Sequence, residues 1–258
     1  MIKKFGIQAY TVRDLMPKDD AATTAETFKK LSEYGYSELQ TIGLNIPAEE
    51  YAKLAKDNGI SIVGTHFSFD EMCADPEKAM ETHNILGAKC IGIGGMPQNA
   101  RESKDALLDF CDKANKLGEA IHKYGFRFTY HNHSFEFKKI SETETMMDIL
   151  VANLDPVTTS FCLDTYWVQH GGGDVRYWIE KLSGRIDILH LKDMKMGLDG
   201  VQAITSIGDG NLYFKGIVEA AEKAGVKHYI VEQDTNFVDN DPLKASKNSA
   251  EYIKANLM

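Results

Sequence analysis

Short apolar segments of this 258-residue chain end repeatedly on residues able to do chemistry: Gln40, His66, His131, Asp164, His190 and Glu232, with Gly94 at the equivalent place in one segment. Imidazole and carboxylate groups in this combination suit a borderline divalent cation, with positions left open for substrate oxygens. Each residue also has a plain structural alternative. A histidine at a segment end can be a hydrogen-bonded core imidazole, Asp164 can cap a following helix, and Glu232 can pair with a lysine. The alternatives weaken together, because buried carboxylates without a cation are costly. His83 and His122 fall in helical stretches, His228 begins a strand, and His170 precedes Gly171-Gly172-Gly173, so these four are expected to be structural. Gly208-Asp209-Gly210 is expected to be a turn, and neither glycine-rich stretch has the lysine and serine of a phosphate loop.

The elements that must position these residues follow one repeated phrase. A helix-like segment ends at Gly35, Gly59, Gly87, Gly125, Gly184 or Gly225, and an apolar strand follows. Glycine past a helix end takes the left-handed turn without steric cost. The strands show little alternation, as expected of strands buried on both faces of a parallel sheet. With two more, the expected strands lie near 5–9, 37–41, 60–66, 89–94, 127–133, 159–164, 186–191 and 227–232. Helices are expected over 22–34, 48–57, 76–86, 104–123, 175–182 and 215–224. Eight βα units in this length favour an α/β chain folded as a (β/α)8 TIM barrel, in which chemistry sits at the C-terminal ends of the strands. An open doubly wound sheet would need a glycine-rich turn after its first strand, where Tyr10-Thr11-Val12-Arg13 stands. No linker-like stretch suggests a second domain, so one domain over 1–258 is expected.

The formal charge of -9 argues against a nucleic-acid partner. No run of eighteen apolar residues spans a membrane. The first residues lack the apolar run of a signal peptide, and the four cysteines are scattered, with no CxxC pair. A cytoplasmic protein with reduced thiols is expected.

Five segments carry a resemblance: Tyr130-His131-Asn132-His133-Ser134-Phe135-Glu136-Phe137, Leu163-Asp164-Thr165-Tyr166-Trp167, Leu189-His190-Leu191-Lys192-Asp193, Gly208-Asp209-Gly210-Asn211 and Val231-Glu232-Gln233-Asp234. In this order the sequence resembles the sugar phosphate isomerase/epimerase family of the xylose-isomerase-like TIM-barrel superfamily. The His-Asn-His signature resembles a subgroup related to inosose dehydratase. The resemblance implies one divalent ion, Mn first, with Co, Fe, Ni, Mg or Zn as alternatives, held by Glu, Asp, His and Glu from four strands. Asp164, His190 and Glu232 match the last three positions. His131 stands where the family has its first glutamate, and His133 points the same way in an extended strand.

The expected reaction is proton abstraction α to a sugar carbonyl through an enediolate, as in a sugar isomerase or epimerase. Glu232 is the expected base, His131 or His133 the fourth ligand or partner acid/base, and Lys192 a stabiliser of developing charge. The alternative for Lys192 is a surface ion pair with Asp193. Tyr10, Gln40, His66, Tyr166 and Trp167 are expected to contact a small sugar or polyol. Loss of one family glutamate also suits a keto-sugar or keto-inositol dehydratase, the alternative reading. An apurinic-site endonuclease would need more ligands and a basic groove, and a non-catalytic sugar-binding barrel would not need these ligands. The absence of a phosphate cradle favours an unphosphorylated substrate, and related barrels suggest a homo-oligomer.

Overall fold

The computed structural model describes residues 1–258. Seven parallel strands follow in order around a ring: β1 (Gly6–Gln8), β2 (Glu38–Ile42), β3 (Ser61–His66), β4 (Cys90–Ile93), β5 (Arg127–His131), β6 (Thr159–Asp164) and β7 (Ile186–Leu191). An antiparallel hairpin, β8 (Asp193–Met196) and β9 (Gln202–Thr205), then precedes β10 (His228–Val231). Strand β10 pairs with both β7 and β1 and closes the expected eight-stranded barrel.

Around it lie α1 (Ala21–Tyr34), α2 (Ala48–Asp57), α3 (Phe69–Ala74), α4 (Pro76–Leu86), α5 (Lys104–His122), α6 (Met146–Asn153), α7 (Thr165–His170), α8 (Val175–Lys181), α9 (Phe214–Lys223) and α10 (Pro242–Asn256). Local chemistry sets their ends. Asp75 caps α4 by accepting from the Lys78 amide, Pro76 occupies the first turn, and Gly87 ends the helix at φ 72°. Gly35 ends α1 in the same left-handed way, at φ 97°.

Every residue of β6 and β7 is buried, because one face meets the helices and the other the barrel interior. A large apolar layer lies between strands and helices. A separate small plug fills the barrel itself, made of Val63, Cys90, Cys162, Ile188 and Ile230. Gly64 leaves room for it, since a Cβ there would lie 2.8 Å from Ile188 Cδ1. Side chains two apart on a strand share a face. Asp164, His190 and Glu232 therefore stand directly above Cys162, Ile188 and Ile230, at the C-terminal mouth.

Helices α3, α6, α7 and α10 and the β8–β9 hairpin lie outside the segments expected from periodicity. Helix α6 is short and strongly apolar, so its helical face is not visible as a stripe; its signal is the capping box between Thr145 and Asp148. The hairpin begins one residue after β7, so its first strand reads as a tail of that apolar run. No helix is long and apolar enough to cross a membrane.

Candidate metal and active site

His131, Asp164, His190 and Glu232 come from the ends of β5, β6 and β7 and from the residue after β10. One ligand atom from each can be chosen so that all lie within 4.8 Å of one another. The spacing follows from register. Asp164 is the Cα partner of His190 on the neighbouring strand, and His131 that of Cys162. Asp164 Oδ2 lies 3.5 Å from His131 Nε2 and 3.6 Å from His190 Nδ1, and Glu232 Oε2 lies 3.0 Å from His190 Nδ1.

The outer partners set the imidazole tautomers. His131 Nδ1 donates to the carbonyl of Gly94 at 2.9 Å, which leaves Nε2 as a bare lone pair. That Nε2 and Asp164 Oδ2 are both buried without a hydrogen-bond partner. Gln40 Oε1 takes the Nε2–H of His190 at 2.5 Å, so the Nδ1 facing Glu232 must hold a proton or a metal. Burial opposes a charge on His190, yet Cys162, Glu232 and Asp164 push its protonation well above the usual value. The cluster thus asks for a cation at its centre, and its mixed nitrogen and oxygen donors fit a divalent ion. His131, Asp164, His190 and Glu232 would hold it.

A cavity of about 350 Å³ opens over this cluster, lined by Tyr10, Ile42, His66, Gly94, His131, His133, Trp167, Lys192, Glu232 and Asp234. Its size lies within the range for small-molecule sites. Lys192 is not the surface residue of the alternative reading: it is 1% exposed, with Nζ 3.1 Å from Glu232 Oε2, 3.7 Å from Asp164 Oδ2 and 2.7 Å from Asp234 Oδ2. Burial would strip its proton, but Glu232, Asp164 and Asp234 outweigh that and raise it above the ordinary lysine value. Burial would likewise raise Glu232; Lys192 and His190 instead hold it well below the usual carboxylate range. His133 lines the cavity as a neutral imidazole, its pKa lowered to about 3 by burial and by His131.

Over residues 23–256 the sequence matches the xylose isomerase-like TIM barrel family. The chain belongs to that family. The inosose dehydratase of Mesomycoplasma hyopneumoniae is 23% identical over 272 residues, covering 89% of this chain and 87% of that protein. The inosose dehydratase of Salmonella typhimurium is 25% identical over 245 residues, covering 84% and 77%. The crystal structure of a sugar phosphate isomerase/epimerase from Parabacteroides distasonis superposes with a TM-score of 0.85 at 26% identity, covering 98% of this chain and 94% of that one.

In this xylose isomerase-like barrel two expected substrate contacts lie elsewhere. Gln40 is fully buried and bridges two imidazoles, its Nε2 donating to His66 Nε2 at 2.9 Å and its Oε1 accepting from His190. Tyr166 is buried outside the cavity lining, edge-on to Trp167 at 4.8 Å and stacked on His170 at 5.4 Å. Tyr10, His66 and Trp167 do line the cavity. Sequence reasoning missed Asp234, visible only as the last residue of the Glu232-Gln233-Asp234 segment. It also missed Glu136, which is fully buried and accepts from Tyr130 Oη at 2.7 Å and from the His133 amide at 2.8 Å. Asp193 sits in the turn region instead, accepting from the amides of Met194, Gly208, Gly210 and Leu212. The Gly208-Asp209-Gly210 turn is therefore wrapped around a carboxylate.

Proposed function

We propose that this protein is a divalent-metal-dependent enzyme that removes a proton next to the carbonyl of a sugar or polyol ketone and then eliminates water, a keto-sugar or keto-inositol dehydratase. The observation that carries this reading is the asymmetry of the pocket wall. Glu232 is the one lining carboxylate belonging to the ligand cluster, and it is paired at 3.1 Å with the Lys192 ammonium. At the fifth-strand position where the resemblance places a second glutamate, this wall carries the His131 imidazole, with His66 and His133 also in the lining. Relatives named inosose dehydratase support the same reading.

A bound divalent ion would supply a Lewis acid that polarises the ketone and stabilises the enediolate. Glu232 takes the α proton, and the C–H electron pair becomes the carbon–carbon double bond. Its own protonation removes one of the three anions around Lys192, so the ammonium gives up its proton more readily. Lys192 protonates the β-hydroxyl as the enediolate collapses, the C–O bond breaks, and water and an unsaturated ketone result. Transfer of the proton from Glu232 to Lys192 restores both groups. Tyr10 and Trp167 present rings to the apolar faces of the substrate, and Asp164, held through Oδ1 by the Trp167 amide at 2.9 Å, stays a fixed ligand. The second reading, an isomerase or epimerase, is favoured by His133, a neutral imidazole in the cavity lining that could serve as a second base.

Incubation of the manganese-loaded protein with keto-sugars and inososes in D2O, followed by NMR, tests the proposal. Exchange of the α hydrogen together with an alkene or diketone product is expected. An epimer or aldose formed without loss of water would select the second reading, and no exchange with any ketone would end both.

A further inference from the structure

A second group of possible ligands lies beside the first, and the proposed reaction leaves two of its three members unused. One donor atom each from His66 on β3, Cys162 on β6 and His190 on β7 can be chosen so that all lie within 4.8 Å of one another. His66 lines the cavity, whereas Cys162 and His190 are fully buried. Two imidazoles and a thiolate make a softer donor set than the two imidazoles and two carboxylates next to them, and suit a thiophilic cation.

The carboxamide of Gln40 stands between these three side chains. Its Nε2 lies 2.9 Å from His66 Nε2 and 3.9 Å from Cys162 Sγ. Its Oε1 lies 2.5 Å from His190 Nε2 and 4.0 Å from Cys162 Sγ. A cation within bonding reach of all three donors would overlap that amide. The same amide governs His190, which the two groups share. By accepting the Nε2–H, Gln40 leaves Nδ1 as the nitrogen turned to Asp164 and Glu232. A neutral imidazole has one lone pair, so an ion that took Nε2 would deprive the carboxylate group of this ligand.

We propose that Gln40 is a plug that closes a second cation site, of the thiophilic class, formed by His66, Cys162 and His190, and thereby reserves His190 for the carboxylate side. An ion entering the opened site from the cavity displaces the thiol proton to solvent and is held by sulfur and two nitrogens. The inference shares His190 with the proposed ion site, but its test uses no substrate. Its failure is therefore distinguishable from failure of the proposed reaction.

The test is titration of chelator-treated protein with Co2+, read as thiolate-to-cobalt charge-transfer absorption in the near ultraviolet, and with Cd2+, read by calorimetry. Wild type is expected to show no charge-transfer band with one equivalent of Co2+. Gln40→Ala opens the site: the band appears, and Cd2+ binds at least ~10-fold more tightly than to wild type. Adding Cys162→Ser to that variant removes the band. Gln40→Leu refills the volume without the hydrogen bonds and should stay dark, like wild type. Gln40→Ser takes the place of the alanine variant if that one fails to fold. A band in wild type, a band in Gln40→Leu as strong as in Gln40→Ala, a folded small-residue variant without it, or a band that survives Cys162→Ser overturns the proposal.

Discussion

At the scale of single residues, the proposed reaction puts the catalytic weight on Glu232 and the positioning weight on groups behind it. Glu232→Gln keeps an oxygen for the ion but no base. Turnover should fall by at least ~1000-fold, with the melting temperature and folded spectrum retained. Near wild-type activity on a true substrate would remove the base assignment. Glu136 makes a different prediction. Burial raises its pKa to about 7, against an ordinary carboxylate value of 4.5, although Tyr130 and the His133 amide oppose this. Its neutral form is therefore the one the fold prefers. That contribution is complete below the unfolded value and is lost as pH rises from about 4.5 through about 7. The loss is up to about 3 kcal/mol. Glu136→Gln should remove this slope, seen as a difference between the two proteins in melts from pH 4.5 to 7.5. Parallel profiles would show that the carboxylate is not responsible. The strand-end cluster was legible because its residue types recur at one register. Asp234 and Glu136 were not, since their significance lies in what they touch.

At the scale of elements, six barrel strands could be located to within a residue or two from the glycine-then-strand phrase, and β1 and β6 from their apolar runs, because helix stops and doubly buried strands leave strong local marks. The β8–β9 hairpin could not, because the side chain of its first residue, Asp193, is fixed by backbone amides 15 to 19 residues further along the chain. Asp193 accepts from four backbone amides, at 2.8 Å from Met194, 2.9 Å from Gly208, 3.1 Å from Gly210 and 3.2 Å from Leu212. Asp193→Ala removes the buried acceptor that these four donors share. It should destabilise the protein by about 2–4 kcal/mol in urea titration. It should also expose the 197–200 tip to proteases before the barrel unfolds. Wild-type protection at the tip would mean that the loop is held by other contacts. Gly208 takes φ 94°, the left-handed region that favours glycine, so the turn itself adds a second local requirement.

At the scale of the whole molecule, the barrel brings four separated strand ends to one centre, and ion binding should report on that closure. His190 is held protonated well above its ordinary value by its anionic neighbours, despite burial. A metal that takes His190 Nδ1 must displace that proton. Affinity for Mn should therefore increase as pH rises, with about one proton released per ion. Calorimetric titration in two buffers of different ionisation heat measures this, and zero release would place the ion elsewhere. At a hundredfold excess over its dissociation constant the ion should stabilise the fold by about 2.7 kcal/mol, raising the melting temperature by roughly 5–10 °C. Chelation should reverse the shift.

Local order along the chain determined the barrel. Glycine stops, doubly apolar strands and the repeated spacing are properties of neighbouring residues, and they need no distant partner to be read. The same register marked His131, Asp164, His190 and Glu232, because strand ends in such a ring share one mouth. Tertiary structure alone decided how these groups act. It turned Gln40 inward as a bridge between imidazoles, buried Tyr166 under Trp167, and drew Lys192 in among Glu232, Asp164 and Asp234. Charge balance, tautomer and unsatisfied polar atoms depend on distances of a few ångströms between residues far apart in the chain, and no local pattern encodes them.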